Sequence, residues 1–351
     1  MSQTEKTETN PLPPTPTAHS GDPLAEYSAL TTTAGVLDLN GRGRLFVTGA
    51  DRIRFVQGQV TNDVERLKNG EGCYAALVTA KGKMVSDLNI FRFEDRLLLD
   101  FEPGLTERVI ERLDKFIIAD DVQVMNAASE LGLISVQGPK SEEVIRSSEL
   151  SLELPNESLR FASGAWPDIG EVTLIHNART GSAGFDILLP PASVEKAVAK
   201  LTGATRSRPV GWQAFEIARI EAGLPRFGVD MDESNLAPET GIEARAISYS
   251  KGCYIGQEVI ARIRTYGQVA KQLRRLRLED NLRQLPNRGE KLFSAGKEVG
   301  YITSAVHSPR LGKNIALGYV SRGRWDVGNS LMMQTAGGES GVTIAALPFS
   351  D

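Results

Sequence analysis

The stretch Lys251-Gly252-Cys253-Tyr254-Ile255-Gly256-Gln257-Glu258 concentrates the unusual chemistry of this chain. A thiol stands between two glycines, a lysine precedes it, and an amide and a carboxylate follow. Glycine permits a tight turn and a close approach of backbone to a ligand. Gly256 then opens a helical pattern, Gln257-Glu258-Val259-Ile260-Ala261-Arg262-Ile263-Arg264. A thiol near a helix N-terminus and beside an ammonium feels positive potential. That lowers its pKa and makes the thiolate more available. The plainer alternative is a buried structural cysteine in a glycine turn. The neighbours favour function, but the physics of the stretch alone does not decide.

Two other places carry candidate chemistry. Met84-Val85-Ser86-Asp87-Leu88-Asn89-Ile90-Phe91-Arg92-Phe93 reads as a strand, and Asp87 faces opposite to Leu88 and Ile90. Most such carboxylates face water. One that faces a pocket could hold a ring nitrogen or an amine. Gln57-Gly58-Gln59-Val60-Thr61-Asn62-Asp63 groups polar side chains around a glycine at a helix junction. They could line a pocket, though capping and turn duty is the simpler reading.

These residues must be positioned by a sizeable fold. The chain has 351 residues, 41% hydrophobic and 24% charged, which fits a soluble globular protein of two or three domains. The net charge of -4 does not indicate a general binder of nucleic acid or anionic membrane. Lys251, Arg262, Arg264, Lys271, Arg274, Arg275 and Arg277 form a local basic strip against Glu258 alone. Such a strip suits a small polyanion, or equally a charged strand edge that resists aggregation. Cys73 and Cys253 are the only thiols and make neither a metal-binding spacing nor a disulfide framework. The histidines are scattered, so no metal site is expected. No apolar run is long enough to span a membrane. A cytoplasmic, thiol-reducing location fits this cysteine usage.

Residues 1–22 are polar and proline-rich, and they read as a disordered tail. The tail has no apolar core for a signal peptide or anchor, and no arginine for a mitochondrial transit peptide. Order is expected from about Leu24. Arg44–Thr48 reads as a strand, Asp51 as a cap for a short helix through Phe55-Val56, and Val64–Leu67 as another short helix capped by Thr61 or Asn62. Cys73–Thr79, Met84–Phe93 and Arg96–Phe101 read as strands, Leu105–Ile118 as a helix, and Val122–Met125 as a strand. The pattern then restarts. Phe46-Val47-Thr48-Gly49 matches Ser135-Val136-Gln137-Gly138, and Phe55-Val56 falls over Val144-Ile145. This predicts two related α+β lobes, residues 23–127 and 128–270, facing across a crevice. The second lobe adds strands near Val172–Ile175 and Phe185–Leu189, and helices over Ser193–Leu201 and Gly211–Ala222. The acidic loop Arg226–Glu233 reads as a structural clasp or as one side of a zwitterion site. Short strands with glycine turns over 271–351 predict a small antiparallel β-barrel or sandwich.

With these pieces together, the sequence resembles the superfamily of the glycine-cleavage T-protein, an aminomethyltransferase. Within it, Lys251–Glu258 resembles the signature of the folate-binding iron–sulfur maturation branch, the YgfZ-like proteins. Gln57–Asp63 supports that branch, while Val136–Lys140 and Arg219-Ile220-Glu221-Ala222-Gly223 are shared more broadly. The resemblance implies two α/β lobes forming a folate-binding ring, plus a C-terminal antiparallel β-barrel. It implies tetrahydrofolate, or a one-carbon-substituted folate, as the cofactor. It also implies an accessory factor in assembly or repair of iron–sulfur enzymes more than a turnover enzyme. Assembly proteins or client iron–sulfur enzymes would then be partners. Cys253 would supply the thiolate, Lys251 would favour it, and Gln257 and Glu258 would fix the loop. Folate contacts are expected from Gln57, Asp87, Arg219 and Glu221, with Tyr254, Gln257 and Glu258 nearby. The alternatives are an aminomethyltransferase with Asp87 as the catalytic carboxylate, or a folate-binding module without chemistry. Two departures bear on the choice. Aminomethyltransferases of this superfamily carry paired aspartates where this chain has Ser86-Asp87. The second-lobe loop Arg179–Asp186 is short and lacks the family's pterin-binding glutamate.

Overall fold

A computed structural model of the chain describes residues 21–203, 207–267, 269–335 and 338–346. Residues 1–20, most of the expected tail, lie outside the described residues. In chain order the first elements are α1 (Pro23–Thr32), β1 (Gly35–Asp38), β2 (Gly43–Thr48), α2 (Arg52–Gln59), β3 (Glu71–Val78), β4 (Met84–Arg92), β5 (Leu97–Phe101), α3 (Thr106–Asp114) and β6 (Gln123–Asn126). Next come β7 (Gly132–Gln137), α4 (Ser141–Ser147), β8 (Phe161–Trp166), β9 (Gly170–His176), β10 (Gly184–Leu189), α5 (Val194–Gly203), β11 (Arg208–Pro209) and α6 (Trp212–Glu221). Two helices follow, α7 (Glu243–Ala246) and α8 (Gln257–Tyr266). The last strands are β12 (Lys271–Leu278), β13 (Lys291–Ser294), β14 (Lys297–Ser308), β15 (Lys313–Ser321), β16 (Ser330–Thr335) and β17 (Gly338–Ala345).

The strands form two open sheets and a closed barrel. The first sheet runs β3-β4-β5-β2-β6, and the second runs β8-β9-β10-β7-β1-β11. The first five strands of each follow the same plan, with antiparallel neighbours throughout. The duplication extends to backbone detail. Gly49 after β2 and Gly138 after β7 both adopt positive φ, +99° and +128°. A Cβ on Gly49 would stand 2.1 Å from the Asp121 carbonyl oxygen, and one on Gly138 would stand 2.6 Å from that of Thr33. Asp121 and Thr33 each lie two residues before the strand that flanks the repeat, β6 and β1 respectively. Only glycine satisfies both the backbone conformation and the close approach.

The lobes therefore exchange chain. The strand that completes the second sheet is β1, from the N-terminal segment, so a boundary at residues 127 and 128 does not divide the sheets. The segment with α7 and α8 crosses in the other direction. Ile242, Ala246, Tyr254 and Ile260 share a buried cluster with Ala76, Val78 and Met84 of the first sheet. Between the sheets, Phe46, Phe91 and Leu98 of the first meet Leu37, Leu133 and Leu188 of the second in one core. Each such burial is worth about 1.5–3 kcal/mol before entropy.

The C-terminal strands close in the order β12-β15-β14-β13-β16-β17, with β17 back on β12. Of the barrel and sandwich readings, the barrel is the one found. Asp230 clasps the loop after α6 to it. One carboxylate oxygen accepts from Thr303 and Ser304 of β14, the other from Arg219 and the Arg226 amide. The basic strip does not survive folding. Arg264 lies 3.8 Å from the Tyr249 ring centroid, Lys271 4.7 Å from that of Tyr319, and Arg275 donates to the Gly223 carbonyl. Val64–Leu67 is one hydrogen-bonded turn, not a helix. Gln57 Oε1 takes the Val64 amide at 2.7 Å and Asn62 Oδ1 takes that of Asp63 at 2.8 Å, so side chains do the capping without a helix following. No described helix is long and apolar enough to cross a membrane.

Candidate functional site

A cavity of about 490 Å³ opens between the two sheets, walled on one side by α6 and the loop after it. That volume lies within the roughly 300–1,000 Å³ typical of small-molecule sites. Tyr74, Leu159, Trp212 and Phe215 give it flat apolar walls. Its charges come from Asp87 and Glu102 and from Arg42, Arg179, Arg219, Arg226 and Arg245.

Strand alternation puts Asp87 there. Leu88 and Ile90 enter the core behind the first sheet, while Asp87 and Asn89 line the cavity. The Tyr74 hydroxyl donates to Asp87 Oδ2 at 2.8 Å, and Oδ1 is buried without a hydrogen-bond partner. Burial, with the charge of Glu102, raises the Asp87 carboxyl to about 6. Burial and the Asp87 carboxylate hold the Tyr74 phenol well above its ordinary value, so it stays a donor. Ser86 faces away, fully buried, with its hydroxyl on the Asp87 carbonyl. Glu102, just past β5, supplies the second carboxylate instead. Its Oε1 accepts from Arg42, and its Oε2 is buried without a hydrogen-bond partner.

The cavity floor is ionic. Asp100 of β5 receives Arg42 at 2.7 Å, Asn89 at 3.0 Å and Arg179 at 3.0 Å. Burial alone would raise the Asp100 carboxyl, but Arg42 and then Arg179 outweigh it and hold it well below the usual carboxylate range. Arg179 also grips Asp186 of β10 at 2.7 Å, so one guanidinium ties the two sheets together. The short loop that lacks a glutamate thus delivers an arginine. Above this floor, Arg226 lies 4.4 Å from the Trp212 ring centroid.

Of the expected site residues, Asp87 and Arg219 line the cavity, and so does Asn62 of the Gln57–Asp63 stretch. Arg219 is committed, pairing with Asp230 and Glu216 at 2.6 Å each. The others lie outside the lining. Gln57 spends its amide on the Val64 amide and on Asp63. Glu221 is buried and receives Tyr27, Ser308 and Arg310, which joins α1 and α6 to the barrel. Tyr254 is buried against Ala76, Val78 and Met84, on the face of the first sheet that Tyr74 and Asp87 share. Glu258 is exposed and pairs with Arg262, and Gln257 opens α8.

The cysteine loop is built differently from the expectation. Lys251 is buried, and its Nζ donates to the carbonyls of Gln57, Val60 and Asn62 at 2.7 Å each. Burial lowers its ammonium to about 8. It therefore fastens the loop to the end of α2 and to Asn62, a cavity residue, and is not reserved for the Cys253 thiol. Gly256 has φ +87°, and a Cβ there would lie 2.5 Å from the Thr79 carbonyl oxygen. The close approach that glycine permits is to the protein's own backbone. Cys253 itself is exposed. The thiol that lines the cavity is Cys73, which burial pushes up to about 12. Lys251→Met is expected to lose about 2–3 kcal/mol of stability, because three carbonyls lose a charged donor. Urea unfolding measures it, and an unchanged midpoint would mean that the clasp carries nothing.

Glu102, Arg42, Tyr74, Arg179 and Arg226 escaped the sequence reading. Tyr74 and Glu102 had a usable signal, since hairpin register places Tyr74 opposite Asn89 and β5 beside β4. Among the described residues no group of three or more His, Cys, Asp or Glu side chains is placed to hold a metal ion.

Two lobes, a cavity between them and a closed barrel define a fold that sequence and structure comparisons recognise. Residues 17–251 match the GCVT N-terminal domain, and residues 271–351 match the glycine cleavage T-protein C-terminal barrel domain. The chain belongs to the glycine cleavage T-protein family. An aminomethyltransferase of Desulforamulus reducens is 30% identical over 334 residues, covering 93% of this chain and 89% of that protein. One from Thermotoga neapolitana is 29% identical over 303 residues, covering 85% and 81%. The crystal structure of the glycine cleavage system aminomethyltransferase T from Bartonella henselae superposes with a TM-score of 0.84. It covers 93% of this chain and 89% of that one at 22% identity, a likeness of fold.

Proposed function

We propose that this protein binds a reduced folate between its two sheets and carries out aminomethyltransferase-type one-carbon transfer with Asp87 as the proton-handling group. The observation that carries the reading is Asp87 itself. It is a cavity carboxylate raised to about 6, with one oxygen held by Tyr74 and the other buried without a partner. The family relatives named aminomethyltransferase support the class. The cavity suits the ligand: flat apolar walls pack against a heterocycle, unpartnered carboxylate oxygens accept from ring N–H groups, and arginines donate to carboxylates. Tetrahydrofolate, when bound, supplies the nitrogens that take up the one-carbon unit. Asp87 Oδ1 is placed to take a proton from an amine, and Tyr74 holds Oδ2 still. Arg42 and Arg179 keep Asp100 ionised and the floor rigid. Ammonia release from an aminomethyl donor, dependent on tetrahydrofolate and on Asp87 but not on Cys253, is the expected result. A chain that binds tetrahydrofolate yet releases no ammonia would refute the transferase.

A second reading rests on a different observation. Cys253 is exposed on a loop whose backbone is pinned by Lys251 and by the contact at Gly256. A presented thiol of this kind suits an accessory role toward iron–sulfur enzymes, the role implied by the likeness to the YgfZ-like branch. One thiolate does not hold a cluster by itself, so a client or assembly protein would share the ligation. On this reading Cys253→Ala fails to restore a client iron–sulfur enzyme in a strain lacking the gene. Full restoration removes Cys253 from the mechanism.

A further inference from the structure

Two buried polar groups in the cavity stand side by side without hydrogen bonds. Glu102 Oε2 and Arg226 Nη1 face each other as an ion pair at 3.7 Å, too long for a hydrogen bond, and each is buried without a hydrogen-bond partner. Their side chains are fixed from behind. Glu102 Oε1 is taken by Arg42, and the Arg226 guanidinium lies over the Trp212 ring with its main-chain amide on Asp230. Both residues are at least nine-tenths buried and both line the cavity. Leaving such groups unsatisfied is costly, and a ligand that satisfies both gains that cost back on binding.

An acceptor next to a donor, both charged, defines a complementary edge: a donor next to an acceptor on one rigid plane. A 2-amino-4-oxo pyrimidine edge has that pattern. Its N–H groups suit a carboxylate, and the neighbouring ring carbonyl suits a guanidinium. We infer that Glu102 and Arg226 together read the 2-amino-4-oxo edge of the bound pteridine, Glu102 Oε2 accepting from its N–H groups and Arg226 Nη1 donating to its carbonyl. This rests on the folate reading above and assigns the residues that select the ring. Asp87 is left for the reacting nitrogens.

The test uses a pair of ligands that differ at that edge. Folic acid carries the 4-oxo group, and aminopterin replaces it with an amine that faces Arg226 donor to donor. Calorimetric titration of the full chain is expected to give folic acid about tenfold or more tighter binding than aminopterin. Arg226→Met is expected to bring the two within about threefold, and Glu102→Gln to weaken folic acid about tenfold. Equal binding of the two ligands to the unmodified chain overturns the inference, whatever the variants do, and leaves the folate reading standing. So does Arg226→Met that keeps the full preference. If neither ligand nor 5-formyltetrahydrofolate binds the unmodified chain, the folate reading fails and takes this inference with it.

Discussion

Replacing Asp87 by asparagine is expected to slow folate-dependent transfer about 10²–10⁴-fold, the usual worth of a positioned proton-transfer group. The same change is expected to make the folded protein more stable above pH 6. The two effects share one cause. Burial and the Glu102 charge raise the Asp87 carboxyl to about 6 in the folded chain, against about 3.9 when unfolded. Between those values the folded state binds more protons than the unfolded one, so stability falls as pH rises from about 4 to about 6. Above about 6 the penalty is fully present. Two units at about 1.4 kcal/mol each set an upper bound near 3 kcal/mol. Solvent reaching the cavity side reduces this to about 1–2 kcal/mol. Asparagine keeps an acceptor for the Tyr74 hydroxyl and carries no charge, so it escapes the penalty. Urea unfolding should show the variant more stable at pH 8 and equal to the parent near pH 4. The rate of the parent should rise with pH through about 6, a limb that the variant lacks. A variant with the parent's rate and the parent's stability at both pH values would show that Asp87 handles no proton.

The repeat was legible because it is local. Phe46–Gly49 and Ser135–Gly138 share a strand, a glycine and a short helix, and each glycine answers to the same backbone contact. The barrel was legible as a run of strands separated by turn residues, but its closure was not, because β12 pairs with β15 and β17 and β13 with β16. The exchange of chain between lobes left no local trace. Gly35-Val36-Leu37-Asp38 has no alternation, since three of its four residues are buried, and its partner β7 lies about a hundred residues away. β8 was missed for a similar reason, because Phe161-Ala-Ser-Gly-Ala-Trp166 has small residues and a glycine where a strand pattern needs bulk. Asp87 stood out as a carboxylate in an apolar strand. Glu102, Arg42, Arg179 and Arg226 did not, because Arg42 and Glu102 adjoin strand ends and Arg179 and Arg226 lie within loops, where charges are ordinary. What makes them a site is their convergence from both sheets and from the loop after α6. Lys251 shows the converse error. Its neighbour in sequence is a thiol, but its neighbours in space are three carbonyls, and an ammonium goes where acceptors are densest.

Arg179→Met should be the most damaging single change to stability, lowering it by about 3–5 kcal/mol in urea at neutral pH. The reason is what it leaves behind. Asp186 is buried in the second sheet, and its ion pair among the described residues is with Arg179. Ser135 and Asn177 still donate to it at 2.7 and 2.8 Å, but neither carries charge. Asp100 fares better, since Arg42 stays on it. The loss therefore falls on one orphaned carboxylate and on the link between sheets that it anchored. The sign with pH follows from Asp100, whose carboxyl is held below its ordinary range in the parent. Its contribution is present above the unfolded carboxyl pKa and disappears as pH falls through the lower, folded one. Losing Arg179 reduces that contribution, so parent and variant should converge on acidification. Adding Asp186→Asn to Arg179→Met removes the orphaned charge and is expected to recover a large part of the loss. If the double variant is no more stable than the single one, the cost lies in packing and not in charge. The floor would then be held by shape alone, and Arg179 would no longer explain why the two sheets keep a cavity of fixed form between them.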